Sequence, residues 1–575
     1  MLCLKKEFEK ELFETAVSRE FSKYDPERRM HKSRDYGNAH SSIYNCEVHK
    51  IRESLELAYM LLNRDAEGDR AVAYDILYRV LPLQDINPAR KTYGIWAYYL
   101  EEDVERMNPP DMNWADFNGR TLLYILNEHG DKLTDDLKMR VKDAIMHACR
   151  SIIKRNVGPS YTNISIMGTY VTVFAGELLE NSEFFEYGKK RLEVLHEYNI
   201  SKGNFTEFNS PAYTFVCMED LSRFLQDVKD KECLRLASEL NDLAWKTIAI
   251  HYHPTTGQIA GPHYRAYSSL IGEGTRYTID RALNYRINIS DLDIIKRNPP
   301  SASSFSRNIT CPEKYVPYFL NAEERLLDDT FAPGLRAYTY MKPSYTLGSL
   351  RAQEAWNQHR NVLGYFGSVK RPVSVTMRSQ LNFWDYRASY MSTVQDKGRA
   401  LTATTFTSNG SDVHLGLQRI NDGTVKARDM RVRYVFEGAV ADIDAVQNGN
   451  TFIITHKESG VKVKIVYPHA KFGKYDVKFE LVKTDKLISA DAVLYSGEET
   501  DIKLDELLKA GVVSSIEMTD GELSGVETVT KTEEDKMVSN FGNLLASITE
   551  NVGQRGKQFE TLYLERDGVE YKPAF

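Results

Sequence analysis

The feature that most constrains this chain is a change of period. Up to about residue 300 apolar residues recur at helical spacing, and after about Gly334 they alternate with polar ones. A 3.6-residue period buries one stripe of a helix, and a 2-residue period buries one face of a strand. A chain that does both in succession must hold a helical part and a sheet part. At 575 residues it also exceeds what one core usually fills.

In the first part, the stretches 7–21, 41–62, 71–81, 91–104, 114–128 and 135–154 each read as a helix with a short polar break after it. The clearest follows: Ile164, Met167, Val171, Phe174 and Leu178 fall at helical spacing, with Thr162 placed to cap them. Further helices are expected at 182–198, 211–225, 231–250 and 268–285, and no strand-like run interrupts the series. Paired helices on short links predict a bundle, a solenoid or a closed toroid, and irregular helix starts argue against a short-period repeat. A Pro- and Ser-rich break at 298–304 predicts a linker or long loop. Alternating runs then appear at 337–341, 345–350, 361–366, 373–378, 400–407, 413–419, 430–436, 451–456, 461–467, 475–482, 490–495 and 559–564. Turns such as Asn409-Gly410 and Asn448-Gly449 separate several of them. The expected class is α+β: a helical domain over 1–300, a linker over 301–333 and a large antiparallel β-sandwich over 334–575.

The net charge of −7 argues against a nucleic-acid partner, because a phosphate backbone needs a broad cationic face. It leaves room for an anionic substrate held by a local Arg or Lys group. No segment approaches about eighteen uninterrupted apolar residues, so no membrane span is expected. The charged start lacks the apolar run of a signal peptide, and the chain reads as cytoplasmic, or as secreted if a leader has been removed. The 6 cysteines are scattered and read as reduced thiols. Oligomeric state is not legible in the residues.

Two loops hold side chains able to do chemistry. The first reads Gly203-Asn204-Phe205-Thr206-Glu207-Phe208-Asn209-Ser210-Pro211-Ala212-Tyr213. Pro211 suits a first helical turn, which puts Ser210 near the cap and Asn209 just outside the positive end of the helix. A neutral amide there can donate to a carboxylate, and it can equally shape the turn and nothing more. In the second loop Gly261-Pro262 sets a sharp turn before His263-Tyr264-Arg265, which runs on to Tyr267. A phenol beside a cation ionises more readily than a free one, whose pKa is about 10. Arg265 supplies that cation or clamps a carboxylate; alternatively His263 and Tyr264 fill a helix-pair interface. A metal reading of His251, His253 and His263 fails because residues two apart do not share a helix face and Pro254 ends any helix there. Gly272-Glu273-Gly274 lacks the Lys and Ser or Thr of a phosphate loop, and no cofactor is expected.

The turn 203–209, the Tyr264 that follows it and the order of helical part then sandwich resemble the heparinase II/III-like and oligoalginate-lyase group of polysaccharide lyases. The resemblance implies an incomplete (α/α) toroid followed by a β-sandwich, and β-elimination on a uronate-containing glycan. It makes Asn209 the residue that neutralises the uronate carboxylate, helped by Asn163 or Arg265, and Tyr264 the catalytic acid and base, with His263 as its partner. The group also uses a His from its second half. His359, in Trp356-Asn357-Gln358-His359-Arg360, is preferred to His414 because that row of residues looks sugar-facing. Glu207, Tyr213, Tyr267, Trp356 and Arg360 complete the candidate substrate-binding set. Two other classes compete. An inverting glycoside hydrolase would pair Glu207 with Asp220 or Glu273, and a non-catalytic glycan binder would use the same loops without turnover.

Overall fold

The computed structural model describes residues 2–38, 40–409 and 423–573. The chain divides into two compact units whose segments interleave along the sequence. The first comprises Met1–Glu207, Tyr213–Trp245 and Glu273–Pro312, and the second Phe208–Ala212, Lys246–Gly272 and Glu313–Phe575. Where the sequence predicts one boundary near 300, two short earlier segments, 208–212 and 246–272, fold with the second unit. The class is α+β.

The first eight helices of the first unit are α1 (Phe8–Phe21), α2 (Ile51–Arg64), α3 (Asp69–Val80), α4 (Trp114–His129), α5 (Asp135–Arg155), α6 (Thr162–Leu178), α7 (Ser182–Ile200) and α8 (Tyr213–Asp227), with Glu273–Ala282 and Leu292–Arg297 following later in the chain. They pack in two tiers. The even-numbered helices α2, α4, α6 and α8 touch one another in succession, while α3, α5 and α7 each lie on the helix before. Composition sets the tiers. From Thr162 to Gly176 every residue of α6 is buried, whereas α5 buries one stripe: Leu137, Val141, Ala144, Ile145, Ala148, Cys149 and Ile152. Helices apolar all round go inside, and striped ones cover them.

Local chemistry ends these helices. Thr134 accepts from the Leu137 amide at the start of α5, and Asn156 takes the left-handed conformation that stops it. The cap expected from Thr162 is not made: Thr162 is already helical and its hydroxyl finds no partner among the described residues. Two further expectations fail here. Tyr24–Asp25, Met30–Asp35 and Cys46–Lys50 form a three-stranded sheet in a stretch expected to hold only helices. The stretch 91–104 is irregular, because Gly94 sits at φ 82, where a β-carbon would lie 2.4 Å from the His147 carbonyl oxygen.

Three antiparallel sheets are stacked in the second unit. The first has nine strands, running in space from Lys478–Lys483 through Leu487–Lys503, Thr424–Gly438, Pro372–Leu381, Val362–Gly367, Tyr345–Leu350 and Leu335–Met341 to Arg325–Ala332, with Trp384–Asp385 off the path. The second has seven and the third five. One core lies between the first two, with Leu347, Phe366 and Tyr434 facing Phe452, Ile465 and Val512. Another lies between the second and third, with Leu401 and Val513 facing Met537, Phe541 and Ile548. Along Arg399–Phe406, Ala400 and Phe406 enter the one core and Leu401 and Ala403 the other. That part of the middle sheet is therefore buried on both faces, whereas its strands Ile443–Asn448 and Thr451–His456 bury one. The expected sandwich has a third layer, and Arg325–Ala332 is a strand inside the expected linker. His414 and the run 413–419 lie outside the described residues. Among the described residues no helix is long and apolar enough to cross a membrane.

Candidate functional site

The best-formed cluster of candidate residues belongs to the second unit and is built from two paired turns. His263 and Arg360 exchange main-chain hydrogen bonds at 3.4 and 2.9 Å, and the Ala266 amide donates to the Gln358 carbonyl at 2.7 Å. Successive side chains of such a pair point to opposite faces. On one face Tyr264 stacks on His359, with ring centres 4.6 Å apart. Phe331 meets the edge of Tyr264 and stacks in turn on Phe208, fixing the phenol against the edge of the nine-stranded sheet. Beneath the turn, Gly348 lies so close that a β-carbon added there would sit 1.9 Å from the Gly261 oxygen. Thr339 donates to that same oxygen at 2.8 Å.

His359 is 5% exposed. Its Nδ1 lies 3.2 Å from the Glu354 carbonyl oxygen, which can only accept, so Nδ1 carries the proton and Nε2 keeps a lone pair. That Nε2 has no partner among the described residues and is closed off from solvent. Burial drives the His359 pKa down to about 3, so the ring is neutral. The Tyr264 phenol moves the other way. Burial and the Glu354 carboxylate raise its pKa, and Arg265 and Arg387 offset this only in part. The expectation that Arg265 makes Tyr264 ionise readily is thereby corrected: loss of water outweighs the nearby cation.

Around the pair, the expected Trp356 and Arg265 are joined by Glu354, Arg387 and Arg555, which the sequence did not reveal. Trp356 meets the edge of His359, and the guanidinium groups of Arg265 and Arg387 both lie 5.2 Å over its ring. Glu354 pairs with Arg387 and, at 3.1 Å, with Arg555, while Arg265 donates to Gln358 at 2.6 Å. Glu354 stands two residues before Trp356, a signal that was available. Arg387 and Arg555 come from distant strands and loops, and nothing local marks them.

Several candidates fall elsewhere. Asn209 is 1% exposed and adopts φ 46, a left-handed turn that Asn tolerates. Both hydrogens of its amide are used, on the Ala260 carbonyl at 2.7 Å and the Pro262 carbonyl at 3.0 Å. In this conformation it has no N–H left for a carboxylate, and it clamps the turn that carries Tyr264. Ser210, expected near a helix cap, instead donates to the Arg265 carbonyl, and α8 begins only at Tyr213, which is half-buried. His263 is fully buried, with a pKa pushed down to about 3 by burial, and its Nε2 lies 3.5 Å from the Tyr365 hydroxyl on the face away from Tyr264. Also on that face, Tyr267, 64% exposed, and the buried Arg360 line a cavity of about 330 Å³ with Arg378 and Glu437. Arg360 turns Nη1 back onto the Asn357 and His359 carbonyls.

In the first unit, Asn163 donates its side-chain amide to both oxygens of Glu207, at 2.9 and 2.7 Å, and its main-chain amide to one of them at 2.8 Å. Asp220 is bound to Arg120 at 2.7 Å with both side chains buried, and Glu273 accepts from the Asp291 amide. None of these acids is poised as a free proton donor opposite another. His251 bonds the Thr247 carbonyl, and His253 sits between Thr256 and the Lys342 carbonyl, as supports for the backbone.

A family model described as a domain of unknown function (DUF8769) matches residues 10–276, just under half of the chain. No curated protein matches. Among solved structures, a heparinase III, the BT4657 gene product, is 10% identical over 91% of this chain and 83% of its own, with a TM-score of 0.34. The heparan sulfate lyase HepC from Pedobacter heparinus is 10% identical over 99% and 90%, with a TM-score of 0.33. The endoglucanase CelQ from Clostridium thermocellum, complexed with cellotetraose, is 10% identical over 81% and 90%, with a TM-score of 0.18. At such scores no residue and no reaction passes from these proteins to this chain.

Proposed function

We propose that the chain is a polysaccharide lyase that cleaves a uronate-containing glycan by β-elimination and leaves an unsaturated uronate. The reading rests on one observation, the stack of Tyr264 on His359. A neutral imidazole with a free lone pair is a base, and a phenol held protonated is an acid, so at neutral pH the two rings have the protonation states elimination needs. His359 Nε2 takes the C5 proton, the C4–O4 bond breaks, and the Tyr264 hydroxyl protonates the departing O4. No water and no cofactor is consumed. Asn209 is occupied, so the charge on the enolate-like intermediate falls to Arg265, already over the indole of Trp356. In the helical unit, the succession α2, α4, α6, α8 with outer partners is the arrangement an incomplete (α/α) toroid would have.

Because Nε2 is closed off, turnover in this scheme requires the Trp356 side of the turn to move aside when substrate enters. The same closure, together with the occupied Asn209 amide, favours a second reading, a glycan binder without turnover. The experiment is a screen of uronate-containing glycans for the ultraviolet absorbance of an unsaturated product. Activity in the wild type that Tyr264→Phe and His359→Gln both lose supports the lyase. Binding with no absorbance change on any glycan removes the lyase in favour of the binder, and equal activity in all three removes the two rings from the mechanism.

A further inference from the structure

Glu354 acts on His359 from two directions. It ends the short strand Ala352–Glu354, which pairs with Ser389–Asp396 at the edge of the seven-stranded sheet. Its main-chain carbonyl accepts from His359 Nδ1 at 3.2 Å and from the Asn361 side chain at 3.1 Å. The tautomer that leaves Nε2 with a lone pair is thus set by the backbone of this residue, whatever its side chain does. The carboxylate is shared: Oε1 accepts from Arg387, and Oε2 from Arg555 at 3.1 Å. Arg387 in turn lies 5.2 Å over the indole of Trp356, which stands edge-on to His359 with ring centres 5.0 Å apart. Tyr264 occupies a face of the same imidazole. A continuous path therefore runs from the Glu354 carboxylate through a guanidinium and an indole to the ring that the Glu354 carbonyl already holds.

The strengths along that path are unequal. A charge-assisted hydrogen bond to a carboxylate outweighs the attraction of a guanidinium for an aromatic face, so Arg387 stays where Glu354 is, and the indole is held as long as Arg387 stays. Breaking a buried ion pair is costly when it leaves one charge alone. Here neither charge would be left alone on exchange with an arriving carboxylate. Glu354 would keep Arg555, whose side chain is 41% exposed, and Arg387 would take the newcomer. Arg265 lies over the same indole at the same 5.2 Å and donates to a neutral oxygen, that of Gln358, at 2.6 Å. A carboxylate drawn to Arg265 consequently arrives beside Arg387.

We infer that Glu354 is a positioning residue for the proposed elimination: through Arg387 it latches Trp356 over His359 Nε2, and a substrate carboxylate that takes Arg387 from it releases the latch. The inference rests on the lyase reading for its purpose, but the latch exists without substrate and is tested apart from turnover. The full chain is treated at neutral pH with diethyl pyrocarbonate, which acylates accessible neutral imidazole nitrogen, and the rate at each histidine is read by peptide mass spectrometry. In the wild type His359 should react at least tenfold more slowly than His40, whose side chain is 26% exposed. Glu354→Gln should speed His359 at least fivefold while the fully buried His263 stays protected, and Trp356→Ala should speed it at least as much. An ion pair that only ties two strands together would change the melting temperature and leave the His359 rate as it is. Arg387→Lys, which keeps the charge and loses the fork, takes the place of Glu354→Gln if that variant does not fold. On a glycan the wild type cleaves, Glu354→Gln should also lower KM at least threefold, since substrate no longer competes with that carboxylate for Arg387. His359 unprotected in the wild type, equally protected in every variant, or uncovered only together with His263 would overturn the latch. A raised or unaltered KM with His359 uncovered would overturn the exchange. If no glycan is cleaved, the lyase reading falls, and the latch is decided by the modification rates alone.

Discussion

The turn around Glu207 and Asn209 and the turn around Tyr264 carry similarly polar side chains, yet they finish in opposite states. In the first, Glu207 is bonded three times by Asn163, and both N–H groups of the Asn209 amide are spent on main-chain carbonyls, its Oδ1 alone having no partner among the described residues. In the second, His359 keeps a buried lone pair and Tyr264 makes its contacts through its ring faces and edges. A donor whose hydrogens are spent on its own backbone belongs to the architecture, and a buried base left with a free lone pair is where chemistry or a ligand is to be sought.

The comparison breaks if the occupied side proves catalytic or the open side proves inert. The largest effect should be on turnover: on any glycan the wild type cleaves, Tyr264→Phe should cut kcat by about 10²–10⁴ with little change in melting temperature. Asp220→Ala should do the reverse, leaving the buried Arg120 unpaired and costing about 3–5 kcal/mol in a denaturant titration. Asn209→Ala should cost about 2–3 kcal/mol by the same measurement, since two buried carbonyls lose their donor. If instead stability holds and only activity is lost, Asn209 is restored as a group that faces substrate.

Acid sharpens the same contrast. His253, His263 and His359 are neutral in the folded protein, with pKa values pushed down by burial to about 4, about 3 and about 3 from an ordinary 6.5. Unfolding lets each take a proton. Their contribution is therefore full above pH 6.5 and falls as pH drops toward those folded values, by about 1.4 kcal/mol per pH unit for each ring. His359→Gln should flatten the slope of stability against pH between 6 and 4 by that amount; an unaltered slope would mean the ring is not held neutral. The smallest expected effect is Tyr267→Ala, which should weaken a bound glycan by about 1 kcal/mol, roughly fivefold, and leave stability unchanged.

How much of this could be read from the residues depended on burial. Strands buried on one face only, such as Thr451–His456 and the first half of Lys462–Phe472, fall where the period-2 pattern predicts them. Ser389–Asp396 and Ala510–Thr519 were not legible, because each is buried on both faces along nearly its whole length, which erases the alternation and lets Ser and Thr serve as small fillers. At the site, Tyr264, Arg265, Trp356 and His359 were legible as neighbours in chemistry, and the structure brings them together. The use of Asn209 was not, since an amide aimed at a substrate and one aimed at its own backbone have the same local sequence. Arg387 and Arg555 were invisible for a related reason: which partner a charge finds is decided by residues far along the chain.

The tight seat of the 261–262 turn on Gly348 makes the phenol hostage to a position that shares no chemistry with it. Any heavier residue at 348 must lift that turn off its strand, and Tyr264 would travel with it. A random-mutagenesis search for inactive variants should therefore return changes at this glycine as readily as changes in the two rings. Compensating revertants should then map to the loop around Pro262 and leave the strand as it is.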